Sequence, residues 1–468
     1  MSKKVIIDPV TRANNRGHVE ISIENGKVVD CRCASLFFRG FEIMLRGRDP
    51  RDAPYFTERI CGICSSAHAT AAAFALENLA GVRPPKTGNL LRNLILAADT
   101  VQNHIRHFYL LGLPDYVPGP DTAPFVPRYQ HDYRLSPQIN ARMIQHYFEA
   151  ADIGRIAHEM VTALGGKAPF PHGILAGGAT VPPDGAVLLD LRAKLNTISR
   201  FVKEKMLPDA QTIADAYPEY YELGKRPLQL LVYGFFPVDP EWKHYRFPGG
   251  VVEENGMQEV DSASIAENIR HAYFEEQSEP HGPETGETIP EPGKPGAYSW
   301  IKAPRYEGKA FEGGPLARLW VAGHYRRGVS TMDRVMARVL ETDILCGLMK
   351  QWLEELEPDK PIFSRFDVPK TGEGLGLTDS MRGPLLHYMR LEGGRIARYN
   401  IITPSAWNFS PRDDKEQPGP AEEALTGTPI ADSQEPAEVG RIIRSFDPCY
   451  ACATHLIIAG KKIKEFIL

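Results

Sequence analysis

The chain has 468 residues, longer than a single hydrophobic core usually serves, so two or more packed regions are expected. Its 54 basic and 59 acidic residues leave a formal charge of −5 without long single-sign runs, which excludes the electrostatic footprint of a nucleic-acid-binding protein. No run of about eighteen apolar residues occurs and the opening MSKKVIIDPVTR lacks an apolar h-region, so neither a direct membrane span nor a signal of its own is expected.

Residues 4–38 alternate apolar and polar positions, as in Val19-Glu20-Ile21-Ser22-Ile23, around Glu24-Asn25-Gly26-Lys27, which predicts a hairpin with Asn-Gly at its turn. Cys31 and Cys33 fall two apart on the second strand and so on one face; two thiols alone are too few for a metal site and are read as packed side chains. Glu42 follows Phe37-Phe38-Arg39-Gly40-Phe41, and a carboxylate in that apolar setting needs a cation or a bound ion. Next comes Cys61-Gly62-Ile63-Cys64, leading into a helix over Ala69–Ala80 that ends at Gly81. Sulfurs at a helix start, beside Arg59, are favoured as thiolates. His68 lies one helical turn beyond Cys64, where it can donate a hydrogen bond to that sulfur.

A long amphipathic helix is predicted over 88–113, with His104 and His107 read as core or partner-facing residues, and another over 136–165. The glycines and prolines of 165–180 predict a shaped loop, in which Lys167 lacks a phosphate-loop pattern. Helices follow over 186–224, strand-like pieces over 227–310 with an exposed acidic insertion at 275–296, and helix again over 316–357, where Cys346 is read as a buried thiol. Arg382–Tyr388 precede a Gly-Gly turn and a strand over 395–402; 411–438 reads as a polar loop. The chain then reaches Cys449-Tyr450-Ala451-Cys452, His455 and an apolar, basic stretch Leu456–Leu468. These divisions predict a β-rich region 1–60, a helical core 61–226, an irregular region 227–315, a C-terminal region 316–455 and an extension 456–468. The fold class is α+β and predominantly helical: a long-helix bundle core with N-terminal and peripheral β-sheets, and a metal site between the N- and C-terminal segments.

Two Cys-x-x-Cys knuckles, each with a histidine within four residues, make a strong soft-metal signal. Structural zinc fits four thiolates, although zinc knuckles usually staple short segments. A thiolate site binding nickel and iron would instead place two terminal sulfurs on one metal and let two others bridge. Cys31, Cys33 and Cys346 cannot supply a four-thiolate cluster, so electrons leaving such a site need a second protein.

The stretches Arg59–Cys64 through His68 and Asp447–Cys452 through His455 resemble the paired signatures of the large, catalytic subunit of nickel–iron hydrogenases. Phe38–Glu42, 47–52, Asn103–Phe108 and Gly165–Thr180 extend the likeness. Tyr298–Tyr306 and Gly314–Arg318 are similar to the respiratory, hydrogen-uptake branch. The resemblance implies heterolytic oxidation of H2, or reduction of protons, with electrons passed to an iron–sulfur small subunit. It implies Cys61 and Cys449 as terminal nickel ligands, and Cys64 and Cys452 as bridges to an iron carrying carbon monoxide and cyanide. A second ion, Mg2+ or Fe2+, is implied at Glu42, the Leu385 carbonyl and His455. Arg382 would overhang the metals, oriented by Asp447, and a terminal thiolate or the Arg382 guanidine would take the proton. The same likeness implies nickel-insertion proteins and a maturation endopeptidase cutting after His455. It further implies a membrane-associated or periplasmic location reached with an exported partner, with the cytoplasm as alternative.

Two departures stand out. The family's Thr-Arg-Ile-Glu-Gly-His, whose glutamate relays protons, is here Thr11-Arg12-Ala13-Asn14-Asn15-Arg16-Gly17-His18. Glu20 is the nearest carboxylate and the expected substitute. Asn103 stands where an aspartate is common. The competing readings are a non-catalytic hydrogenase-like subunit of a redox complex, in which the thiolates are lost, and a structural zinc protein.

Overall fold

The structure, a computed structural model, describes residues 3–239, 241–277 and 280–451. Strands β1 (Lys3–Ile7), β2 (Gly17–Glu24) and β3 (Lys27–Ser35) form an antiparallel sheet in that order. Asn25 and Gly26 turn the hairpin with φ of 50° and 74°, the left-handed pair that a tight two-residue turn requires. Period-two alternation buries Val19, Ile21 and Ile23 together with Cys31 and Cys33, as the sequence predicts.

Helices α1 (Phe41–Leu45), α2 (Ala53–Glu58), α3 (Ser65–Ala80), α4 (Lys86–Arg106) and α5 (Pro137–Gly165) follow. Beyond them lie α6 (Gly185–Phe201), α7 (Leu207–Ala216), α8 (Pro315–Val321) and α9 (Thr331–Glu355). The core is the bundle of α3, α4, α5, α6 and α9. Its central member, α4, is buried from Thr87 to Ile105, so its polar residues must find partners inside the protein. The helix expected over 88–113 ends its regular part at Arg106 and widens into a π-helical turn over His107–Gly112. Ser136 caps α5, its hydroxyl accepting from Ile139 N at 3.3 Å, and Gly81 closes α3 with φ of 65°.

Near the C-terminus the strands Gly372–Ser380, Gly383–Glu392 and Arg395–Ile402 make an antiparallel meander. The meander lies directly on α3: a Cβ at Gly376 would fall 2.0 Å from the Ala71 carbonyl oxygen, so only glycine permits this approach. Helices α10 (Pro404–Asn408), α11 (Pro420–Leu425) and α12 (Ala437–Ser445) complete the order. The mixed helix-rich architecture matches the predicted class.

Two loop expectations need correction. The 275–296 insertion is not simply exposed: Thr288 and Lys294 are buried, Lys294 Nζ donates to the Ile269 and Phe274 carbonyls at 2.7 and 2.9 Å, and Asn400 Nδ2 reaches the Gly286 carbonyl at 2.9 Å. Likewise 411–438 contains α11, whose Glu422 is buried and accepts from Cys33 N at 2.8 Å. In both, polar composition is absorbed by internal hydrogen bonds rather than by solvent.

Candidate metal centre

The first knuckle is built locally. Cys61 follows α2, with its N–H directed to the Glu58 carbonyl at 3.3 Å, and Cys64 is the N-cap of α3. The Ile63 N–H lies 3.4 Å from Cys61 Sγ. The second knuckle arrives after α12. Asn14 lies beside it as a parallel strand partner of Cys449, donating its N–H to Pro448 O at 3.2 Å and accepting from Tyr450 N at 2.9 Å. Arg39 joins the knuckles, donating to the Ile60 carbonyl and, at 2.7 Å, to the Ala451 carbonyl. Gly17 admits the Tyr450 ring, which a Cβ there would meet at 1.8 Å.

The outcome is a buried cluster of sulfurs. Cys61, Cys64 and Cys449 have their Sγ atoms within 4.8 Å of one another, and Cys61 and Cys449 approach to 3.3 Å. Asn14 Nδ2 lies 3.2 Å from Cys61 Sγ and 3.1 Å from Cys449 Sγ. Three buried, convergent thiols are a soft donor set suited to nickel or iron and unsuited to a hard, oxygen-preferring cation. Cys452 and His455, with Leu456–Leu468, lie outside the described residues.

Above the sulfurs sits a buried polar canopy. Arg382 donates from Nε to the Asp447 carbonyl at 3.0 Å, and from Nη2 to Asn103 Oδ1 at 2.6 Å and Asp447 Oδ1 at 3.1 Å. Its Nη1 has no partner among the described residues, a donor left for something at the site. Burial opposes the Arg382 charge, but Asp447 and the sulfurs of Cys449, Cys64 and Cys61 outweigh it and push its pKa further up. Asp447 is burdened by burial too, yet Arg382, His107 and Arg338 hold its carboxyl well below the usual range. Its φ of 58° is a left-handed conformation costly for a non-glycine residue and typical of constrained sites. Asn103 is buried at the junction: its oxygen accepts from Arg382 and from Arg106 Nη2 (3.1 Å), and its nitrogen donates to Asp447 Oδ2 at 2.8 Å. A neutral amide therefore does here what a carboxylate could not, donating to a carboxylate while accepting from two arginines.

The remaining expected residues divide. His68 N bonds back to Cys64 O at 3.3 Å, and His68 Nδ1 meets His387 Nε2 at 3.1 Å. Glu42 is buried; it accepts from Ile401 N at 2.8 Å and from the Thr288 hydroxyl, and Lys302 Nζ stands 3.9 Å away. Ile401 pairs with His387, two positions along the strand from Leu385, so Glu42, on α1, is held against the strand next to the one that carries Leu385. Glu20 is not brought to the sulfurs. Alternation along β2 turns it to the outer face, where its carboxylate is 2.6 Å from Lys4 Nζ. Arg59 also turns aside, to Glu58 Oε2 at 2.8 Å and the Phe170 ring at 4.6 Å.

Sequence reasoning missed Asn14, Arg39 and His387 as site residues. Asn14 was visible only as the departure from Thr-Arg-Ile-Glu, and Arg39 only as part of Phe38–Glu42. His387, a lone histidine in an apolar strand, gave no signal.

The family model described as nickel-dependent hydrogenase matches residues 39–122, 118–328 and 323–455. The chain is 38% identical to the periplasmic NiFeSe hydrogenase large subunit of Desulfomicrobium baculatum, covering 97% of this chain and 95% of that protein. It is 30% identical to the uptake hydrogenase large subunit of Bradyrhizobium diazoefficiens, covering 97% and 95%. Among solved structures, the Ni-Fe-Se hydrogenase from D. vulgaris Hildenborough in the reduced state superposes with a TM-score of 0.94 at 40% identity, covering 97% of this chain and 100% of that one.

Proposed function

This chain belongs to the nickel-dependent hydrogenase family as a catalytic large subunit, and from that premise we propose that it cleaves H2 heterolytically, or forms it from protons, at a nickel–iron centre. Cys61 and Cys449 would hold nickel as terminal ligands, with Cys64 and Cys452 bridging to iron. The observation that carries this reading is the approach of the Cys61 and Cys449 sulfurs, from opposite ends of the sequence, to 3.3 Å. When bound, the metal pair supplies Lewis acidity and redox chemistry that these side chains lack. The iron would carry carbon monoxide and cyanide, and Glu42, the Leu385 carbonyl and His455 would hold Mg2+ or Fe2+. All four knuckle positions are cysteine.

The chain's own groups then have separable tasks. Arg382, with its charge reinforced by Asp447, keeps its protons and offers donors to whatever sits on the metals; it is a poor base for that reason. The proton of H2 is better taken by a thiolate, Cys449 Sγ or Cys61 Sγ. Asn14 holds both sulfurs through its amide N–H, and an amide, unlike a carboxylate, cannot accept and pass on that proton. Asp447 and Asn103 fix the Arg382 fork, and His68 supports Cys64.

An iron–sulfur small subunit would take the electrons. Nickel-insertion proteins and an endopeptidase acting after His455 would precede activity, and the periplasmic relative from D. baculatum supports a periplasmic location shared with the partner. Metal analysis of the matured complex tests the whole: nickel and iron in equal amounts, with infrared bands of bound carbon monoxide and cyanide, are expected. Stoichiometric zinc without nickel would replace this reading with the zinc-stapled one.

A further inference from the structure

A buried guanidinium is costly unless its charge is met. Nine arginines are buried among the described residues, and eight of them lie within ion-pair distance of a carboxylate. The ninth is Arg338, on α9 and 2% exposed. Its Nη2 donates to the Ser445 carbonyl at 3.0 Å, while Nε and Nη1 have no partner among the described residues. The carboxylates around it are engaged elsewhere: Glu341 by Arg318 at 2.6 Å, Glu312 by Arg334 at 2.7 Å and Asp447 by Arg382 at 3.1 Å. Burial brings the Arg338 pKa down to about 10, which leaves it a cation at neutral pH.

The guanidinium borders a cavity of about 20 Å3, more than the ~10–15 Å3 that one water-sized occupant needs. Its other walls are Val335 of α9, Ile213 of α7, and His107, Phe108 and Gly112 of the π-helical turn that widens the end of α4. Such turns recur at functional sites. No acidic residue lines this cavity. His107 adds no charge to it: its Nε2 donates to the Arg444 carbonyl at 2.6 Å, and burial, with Arg338 adding to it, brings its pKa down to about 3. A smaller cavity of about 10 Å3 also borders Arg338, but Glu312 stands in its wall and repels an anion there.

We propose that the cavity between Arg338 and the π-helical turn is a binding site for one monatomic anion, chloride, held by the Arg338 guanidinium. The space admits one such ion and excludes sulfate, phosphate and carboxylates by size. Apolar walls favour chloride or bromide over fluoride, which gives up its water less readily. The anion meets the one buried arginine charge that no described carboxylate meets. Arg338 then keeps its grip on the Ser445 carbonyl, two residues before Asp447, without drawing that carboxylate away from Arg382. The site goes beyond the hydrogenase reading and stands whichever metal the sulfurs hold.

The test uses the matured heterodimer crystallised with bromide in place of chloride. An anomalous bromide peak within hydrogen-bonding distance of Arg338 Nε or Nη1 is expected; a water there, or no density, overturns the proposal. In solution, exchange into chloride-free gluconate at constant ionic strength should lower the thermal midpoint. Chloride or bromide should restore it saturably, as a ligand of the folded state does, and fluoride should not. Arg338→Met should lose the saturable response. An equal response in wild type and variant would mark a bulk salt effect and overturn the site. A bromide peak without any saturable response in wild type would overturn it too, as binding at crystal concentration only. If Arg338→Met fails to fold, the wild-type crystal and the wild-type halide series decide without it.

Discussion

The two knuckles bring their sulfurs to one point by different means. The first is local: α2 ends at Glu58, five residues turn, and Cys64 stands at the N-cap of α3. The second is held from afar. Cys449 follows Asp447 with its left-handed backbone and is kept in place by Asn14, Arg39 and Arg382. α12, which delivers it, is tied to the N-terminal segment by Asp115, which accepts from Arg444 at 2.6 and 2.5 Å and from Arg12 at 2.5 Å. A knuckle set at a helix start forms with its helix; one held by straps forms only when the rest of the protein has folded. The site is thus a rigid half waiting for a fastened half.

That difference can be broken from either side. Cys61→Ser replaces a soft donor in the rigid half with a hard one; we expect nickel to fall to background and H2 turnover with it, measured by metal analysis and gas uptake, while the fold persists. Asp115→Asn attacks the fastening. Removing one partner of a buried ion pair costs about 3–5 kcal/mol, to be read as a lower denaturation midpoint. The pH dependence is also set. Burial would raise the Asp115 pKa, but Arg12 and Arg444 bring it down to about 2, below its ordinary 3.8. A carboxyl depressed on folding stabilises above its unfolded pKa, so this contribution, about 2 kcal/mol, is complete above about pH 4 and is lost as pH falls through about 2. The Asn variant should lack that part of the acid limb.

The legibility of the molecule follows the same division. The hairpin at Asn25-Gly26, the capped helices and the first knuckle were readable because short-range rules specify them: turn chemistry, capping and period. Cys449 was readable by its spacing, but its holders were not. Asn14 and Arg39 reach the second knuckle across hundreds of residues, and nothing in their own neighbourhoods announces that. The acidic insertion misled because composition reports polarity and not where the polar groups find partners; Lys294 and Thr288 find them inside. The π-helical turn after Arg106 was hidden within a good amphipathic pattern, since apolar spacing is nearly unchanged by one extra residue.

Smaller perturbations sharpen the contrast. Gly17→Ala pushes a methyl into the Tyr450 ring; overpacking of this kind costs about 1–3 kcal/mol, and we expect it to lower nickel retention by displacing the second knuckle while leaving the first intact. A drop in thermal stability without a change in nickel content would show that the fastening tolerates the shift.

The smallest effect belongs to Glu20. By sequence it was the nearest carboxylate to the proton relay that the family's Thr-Arg-Ile-Glu provides, yet β2 turns it outward to Lys4, where its side chain is 22% exposed. A partly exposed ion pair contributes about 0–1 kcal/mol, so Glu20→Gln should alter stability within that range and leave H2 turnover and its solvent isotope effect unchanged. Asn14→Ala, six residues earlier, removes both N–H contacts to the sulfurs, and loss of such support typically costs about 10–100-fold in metal affinity or activity. If Glu20→Gln slowed turnover and Asn14→Ala did not, the proton would be leaving across the outer face of the sheet, and the strap at Asn14 would be a matter of folding alone.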